Sequence, residues 1–310
     1  MVKSVGKKLK LGGTSEKAGP LKKTAAAKKA KSNVSPKKAS RTPMSISINS
    51  SHTPSELQAK LINAEKLHLK GQLKEAWALY QEILRQDPDH YAAIHGMGLI
   101  ASQMKTFPMA IKLFENAIAV DGSNPRAYSN LANAQAAVGD SEQALKNYDK
   151  ALSIDSGYVD AIKNRGLVRA ELKQFKKALA DFARVLELSP GYWRAHIYTA
   201  NVLISMGKLD KALHAYELGL SANPNSAALC NNLGAILCSM GRFKVALPKL
   251  DRAIKINPQY AEAFNNRAVV LIGLKRNKEA LVNYDQALTL KPGYQDAIMG
   301  KSKLQSSMSL

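Results

Sequence analysis

The sequence is short of cysteine, of acid in its first sixth and of long apolar runs. Two cysteines in 310 residues, Cys230 and Cys238, cannot make a disulfide framework, and their spacing fits neither a redox pair nor a zinc knuckle. A reducing compartment is the natural setting, and a cytoplasmic location is expected. Nothing approaches ~18 consecutive apolar residues, and no apolar core follows the N-terminal charges as a secretory signal needs. An integral membrane protein is therefore not expected. The six histidines, His52, His68, His90, His95, His196 and His214, are scattered without metal-ligand spacing, and there is no Gly-rich phosphate loop or nucleophile elbow. No metal, cofactor or catalytic residue is expected, and the chain reads as something other than an enzyme.

What is abundant is lysine. Forty-five Lys and Arg against 24 Asp and Glu give a net charge of +21, and the first 55 residues hold 13 of the bases against the single acid Glu16. Residues 1–52 contain few large apolar side chains, too few to offset chain entropy, and are expected to be a disordered basic tail. Its candidate anion contacts are Lys7, Lys8, Lys10, Lys22, Lys23, Lys28, Lys29, Lys31, Lys37 and Lys38. No aromatic residue lies among them, so base stacking is absent and phosphate contact by counterion release is what remains. The composition, with Ser35-Pro36-Lys37-Lys38, resembles linker-histone tails. Nucleic acid, an anionic surface and a purely solubilising role stay open for this segment.

From Leu57 the chain repeats every 34 residues, and such a period fixes the architecture before any other assignment. With Leu57 as position 1, position 8 is always small: Ala64, Gly98, Ala132, Gly166, Ala200, Gly234 and Ala268. Position 20 is always alanine, and position 24 is bulky: Tyr80, Phe114, Tyr148, Phe182, Tyr216, Leu250 and Tyr284. Position 32 is Pro, Gly or Ser, which ends each unit. Two short antiparallel helices per unit satisfy this pattern, with small residues where the axes approach and a ring filling the gap between neighbouring pairs. One pair cannot cover its own apolar face, so stacking is required. The fold class expected is all-α, a right-handed superhelical solenoid of helix-turn-helix repeats behind the basic tail.

The period and these residues resemble the tetratricopeptide repeat, in seven consecutive units: 57–90, 91–124, 125–158, 159–192, 193–226, 227–260 and 261–294. The repeat region is set at 53–294, opened by a capping box at Thr53-Pro54-Ser55-Glu56, and 295–310 is set as a C-terminal capping helix with a frayed end. Asn124-Pro125 and Asp140 with Gln143 carry further start signals. Pro248, about six residues into a second helix, costs about 3 kcal/mol unless the helix kinks there, and a kink is expected. Gly219 and Leu250 mark units five and six as softer.

The resemblance implies that positions 2, 5, 6 and 9 of the first helices line a concave groove. Position 6 carries Asn130, Asn164, Asn232 and Asn266, and position 9 carries Asn133 and Asn201. Each amide offers a donor and an acceptor, so the column can hold an extended peptide backbone. It is similar to the asparagine ladder in the repeat region of O-linked N-acetylglucosamine transferases, without their catalytic domain. Arg126, Lys163 and Arg194 give the middle of the groove positive charge suited to acidic side chains or a C-terminal carboxylate. Asn133, Asn164 and Arg194 fit the carboxylate clamp of chaperone-binding members, while Ser129 and Tyr198 replace its other two bases. The function expected is a non-enzymatic scaffold binding a peptide or protein partner. The alternative is recruitment to nucleic acid or an anionic surface by the tail, with the repeats as a tether. Self-association stays open.

Overall fold

A computed structural model describes residues 54–309. The tail, its ten candidate lysines and Thr53 of the capping box lie outside the described residues.

Among the described residues there are fifteen helices and no strand. They are α1 (Pro54–Leu69), α2 (Leu73–Gln86), α3 (Tyr91–Gln103), α4 (Phe107–Val120), α5 (Pro125–Ala137), α6 (Ser141–Ile154), α7 (Val159–Glu171), α8 (Phe175–Leu188), α9 (Arg194–Ser205), α10 (Leu209–Ala222), α11 (Ala227–Ser239), α12 (Phe243–Ile256), α13 (Ala261–Gly273), α14 (Asn277–Leu290) and α15 (Gln295–Met308). Odd and even helices pair, each pair packs on the next, and the whole is a helical repeat solenoid closed by the single α15. First helices also lie beside the next first helix along one face, less closely between α9 and α11 than elsewhere. Among the described residues no helix is long and apolar enough to cross a membrane.

Helix ends follow local chemistry. Asn124 accepts from the Arg126 amide at 3.0 Å and Asp140 from the Gln143 amide at 3.2 Å, which starts α5 and α6. Within every pair the chain reverses through a left-handed residue at position 15: Gly71, Lys105, Gly139, Lys173, Gly207, Gly241 or Lys275. Gly139 adopts its φ of 89° without steric cost, whereas Lys173 at 58° carries a Cβ there. Proline 248 does not break α12, which is continuous over the same fourteen residues as the other second helices. Lys244, whose carbonyl loses its partner to the proline ring, is exposed to water.

The core explains the repeat. Position 20 alanines are fully buried in all seven pairs, and so are the position 24 side chains. Position 8 is small because position 24 of the same pair lies on it. A Cβ on Gly98 would stand 2.6 Å from Phe114, and one on Gly166 would stand 2.7 Å from Phe182. The two positions change together along the chain. Alanine goes with tyrosine in the first, third, fifth and seventh pairs, and glycine goes with Phe114, Phe182 or Leu250 in the others.

A second device joins neighbouring pairs. A base at position 7 reaches back to an aspartate at position 25 of the preceding pair: Arg165 to Asp149 at 2.6 Å, Arg267 to Asp251 at 2.7 Å and Lys301 to Asp285 at 2.5 Å. The two arginines also bind position 23 of their own pair, Asp181 and Asn283.

Candidate functional site

The face formed by the first helices carries the candidate groove residues, and their side chains bond across from one first helix to the next. Asn130 on α5 lies 3.0 Å from His95 Nε2 on α3. Asn164 on α7 donates to Asn133 Oδ1 on α5 at 2.8 Å, and Asn266 on α13 donates to Asn231 Oδ1 on α11 at 2.9 Å. Positions 5, 6 and 9 therefore form one surface. The asparagines are also structural: Asn133 Oδ1 accepts from the Tyr148 hydroxyl at 2.5 Å, and Asn201 Oδ1 accepts from the Tyr216 hydroxyl at 2.7 Å.

Their exposure is uneven. Asn133 is exposed and Asn130, Asn164 and Asn201 are partly so, but Asn232 and Asn266 are wholly buried. An unliganded column open to solvent throughout is not what the structure has. Around Asn133 and Asn164 lies a shallow depression of about 290 Å³, with Tyr148, Leu167 and Glu171 in its wall.

The three bases occupy the first turns of α5, α7 and α9. Arg126 is exposed. Lys163 is paired at 3.0 Å with Asp160 one turn before it, and the Arg194 guanidinium lies 4.5 Å from the centre of the Trp193 ring. Ser129, at one of the two clamp positions, is buried, and Tyr198, at the other, packs against Phe182 with ring centres 5.4 Å apart.

Aromatic side chains share this surface, and the sequence reading passed over them. Tyr91 stacks on His95 with ring centres 5.6 Å apart and planes 11° from parallel. Burial holds the His95 imidazole down to about 4, assisted by the charge of Arg126, so it is neutral at physiological pH. Burial also raises the phenols of Tyr158, Tyr192 and Tyr198. Arg126 opposes that shift at Tyr158, and Arg194 opposes it at Tyr192 and Tyr198. This stretch of the first-helix face thus combines bases with phenols and asparagine amides. The signal was available: Tyr158, Tyr192, Tyr260 and Tyr294 all stand at position 34, just before a first helix.

The two cysteines lie buried in α11, and burial pushes Cys238 up to about 11 and Cys230 above its usual value. That suits packing and not nucleophilic chemistry. Among the described residues no three His, Cys, Asp or Glu side chains gather as a metal site would require.

Three family models of the tetratricopeptide repeat match the chain, at residues 125–158, 169–236 and 232–294. This is a tetratricopeptide repeat protein. A tetratricopeptide repeat protein from Parabacteroides merdae is similar in structure, 18% identical, covering 81% of this chain and 99% of that one, with a TM-score of 0.63. Yeast Tom70 is 18% identical over 86% of this chain and 60% of its own, with a TM-score of 0.61. Pseudomonas aeruginosa pilF is 20% identical over 70% and 97%, with a TM-score of 0.58. Among curated proteins, none matches. Tetratricopeptide repeats build scaffolds for protein–protein interaction, and the solenoid of this chain is of that kind.

Proposed function

We propose that the seven repeats of residues 57–294, capped by 295–310, hold an extended, acidic peptide or protein segment in the concave groove. The observation that carries this reading is the company of Arg126, Lys163 and Arg194 with Asn130, Asn133 and Asn164 on three consecutive first helices. Asparagine amides serve the backbone of a strand-like ligand, while Arg126 and Arg194 serve its carboxylates, and the neighbouring phenols add apolar area with a polar tip. Asn201 continues the surface toward the C-terminus, whereas Asn232 and Asn266 are buried behind it. The depression at Asn133 and Asn164 leaves room for one side chain of the ligand.

The test is a peptide-array screen with the full chain, followed by titration of the best acidic peptide against the Arg126→Glu, Arg194→Glu variant. Binding is expected to weaken by at least tenfold and to show a reduced salt dependence. Equal affinity, or selection of basic peptides by the middle of the groove, overturns the reading.

A second reading rests on the tail, whose 13 bases face one acid. In it the segment brings the protein to nucleic acid or an anionic surface by charge alone. Binding of duplex DNA is then sequence-blind, and with about six lysines engaged it weakens about a thousandfold between 50 and 200 mM salt. A full chain whose tail lysines are changed to glutamine should lose it, and retention of binding would place the contact on the repeats.

A further inference from the structure

The charge of the repeats is gathered at one edge. Positions 14–19, the turn between the two helices of a pair, hold ten bases and only two acids, Asp210 and Glu279, in pairs four to seven. That is +8 out of the net +9 of residues 56–310. The same turns of the first three pairs are balanced in charge, and the turns at the opposite ends of the helices hold acids such as Asp87, Asp89, Asp121 and Asp155. All ten bases are exposed, and among the described residues only Arg276 of the ten is held in an ion pair, with Glu279 at 2.6 Å. Like charges crowded along one edge repel one another and call for an anion. Backbone strain marks the same edge. Among the described residues the positive-φ positions other than glycine are Lys105, Lys173 and Lys275, at φ of 60°, 58° and 61°. Glycine takes this conformation freely and asparagine tolerates it better than lysine does. The first and last turns of the basic stretch thus accept strain in order to carry a lysine, which points to a use for its side chain.

Spacing, and what the edge lacks, select the anion. With no insertion between repeats, successive turns recur at a constant interval of roughly 10 Å, so the edge is a periodic line of positive charge. A phosphodiester chain is periodic in the same sense, whereas the carboxylates of a folded acidic protein are not. The edge offers a membrane little apolar surface. Of the large apolar residues in these four turns only Leu172 and Val245 are well exposed, while Met206, Met240 and Leu274 pack against the core. Phe175 and Phe243 are packed there too, so no ring stands free for base stacking. Duplex DNA is stiff over about 150 base pairs and cannot follow an edge that rotates with each repeat. A single strand bends from turn to turn.

We propose that the turns of pairs four to seven hold single-stranded nucleic acid by its phosphates, without reading its bases. Lys173, Lys208, Arg242 and Lys275 supply one contact in each turn, and the remaining bases let the strand shift between registers. Positions 14–19 lie at the far ends of the first helices from Arg126 and Arg194, so the strand shares no contact with a ligand in the groove. It is independent of the tail as well, since every base it uses lies on the repeats.

The experiment titrates a labelled oligothymidylate strand with the full chain in which the tail lysines are changed to glutamine. Binding is expected, and with about five bases engaged the slope of log affinity against log salt should be about −3.5. Adding Lys173→Gly and Lys275→Gly relieves the backbone, so the melting temperature should not fall, while the slope becomes shallower by about 1.4 and affinity at low salt drops at least fivefold. Lys105→Gly relieves the same strain outside the basic stretch and should leave affinity unchanged. Absence of binding, a melting temperature lowered by the glycine pair, or an equal loss of affinity in the Lys105→Gly control overturns the proposal. So does equal affinity for duplex DNA, phosphatidylserine vesicles or polyglutamate, which would mean charge attraction without a strand seated along the edge.

Discussion

Asn164 donates to Asn133 at 2.8 Å, so two side chains placed in the groove as ligand contacts are also a joint between α5 and α7. A residue with both duties leaves a mark on stability even without a ligand. Asn164→Ala is expected to lower the unfolding free energy by about 0.5–1.5 kcal/mol, the net value of one such bond. Urea unfolding of the variant, read by far-ultraviolet dichroism, measures it. A midpoint unchanged from wild type would show that the bond contributes nothing in solution.

The steric logic of positions 8, 20 and 24 makes a harsher prediction. Ala178 is fully buried, and Gly166 leaves no room for a methyl group against Phe182. Ala178→Leu and Gly166→Ala should each cost about 1–3 kcal/mol through overpacking, more than Asn164→Ala. Replacing a mid-helix glycine by alanine also recovers about 1 kcal/mol of helix propensity, so the second variant is expected to be the milder of the two. Melting temperatures of the three variants in one buffer rank them, and equal values would mean that these contacts do not limit the packing.

These residues also show which features were legible beforehand. Alanine at position 20 and a bulky residue at position 24 recur at a fixed period because every helix pair repeats one packing problem, so the solenoid could be read from spacing alone. The burial of Asn232 and Asn266 could not. They share position 6 with Asn130 and Asn164, and nothing in the residue type says which of them meets water. The arginine links from position 7 escaped for a related reason. Arg165, Asp149 and Asp181 belong to different helices, and their meeting depends on the stagger between pairs, which the period does not encode. The aromatic surface was visible as a column at position 34 but had no partner until Arg126 and Arg194 were placed beside it.

Acid should loosen the array through its histidines. Burial, with a contribution from Arg126, holds His95 down to about 4, against an ordinary value of 6.5, and burial also lowers His68 and His196. Below pH 6.5 the unfolded chain takes up protons that the folded chain refuses, so stability falls as the pH drops from 6.5 toward 4. Each such proton changes the slope by about 1.4 kcal/mol per pH unit. The His95→Gln variant keeps a side chain able to bond with Asn130 but cannot titrate. Its stability should change less between pH 7 and pH 5 than that of wild type, and parallel pH curves would remove His95 from the account.

The largest single loss is expected at Asp181. Its carboxylate is almost fully buried and binds both Arg165, at 2.6 Å, and Arg169, at 2.8 Å, while the exposed Asp149 reaches the same two guanidinium groups from the preceding pair. Asp181→Ala leaves two charges, themselves mostly out of water, with only that exposed partner. Removing one member of a buried ionic group costs about 3 kcal/mol or more, because the remaining charge is stranded and not merely because an attraction is lost. Asp149→Ala, which removes the water-exposed carboxylate, should cost less than about 1 kcal/mol. The discriminating measurement is the triple variant Arg165→Met, Arg169→Met, Asp181→Leu. If stranded charge is the cause, this chain should recover most of the stability that Asp181→Ala loses, since a packed apolar cluster is often as favourable as the ionic one. If the triple variant is no more stable than Asp181→Ala alone, the directional bonds between α7 and α8 matter in themselves, and the network sets how the fourth helix pair closes.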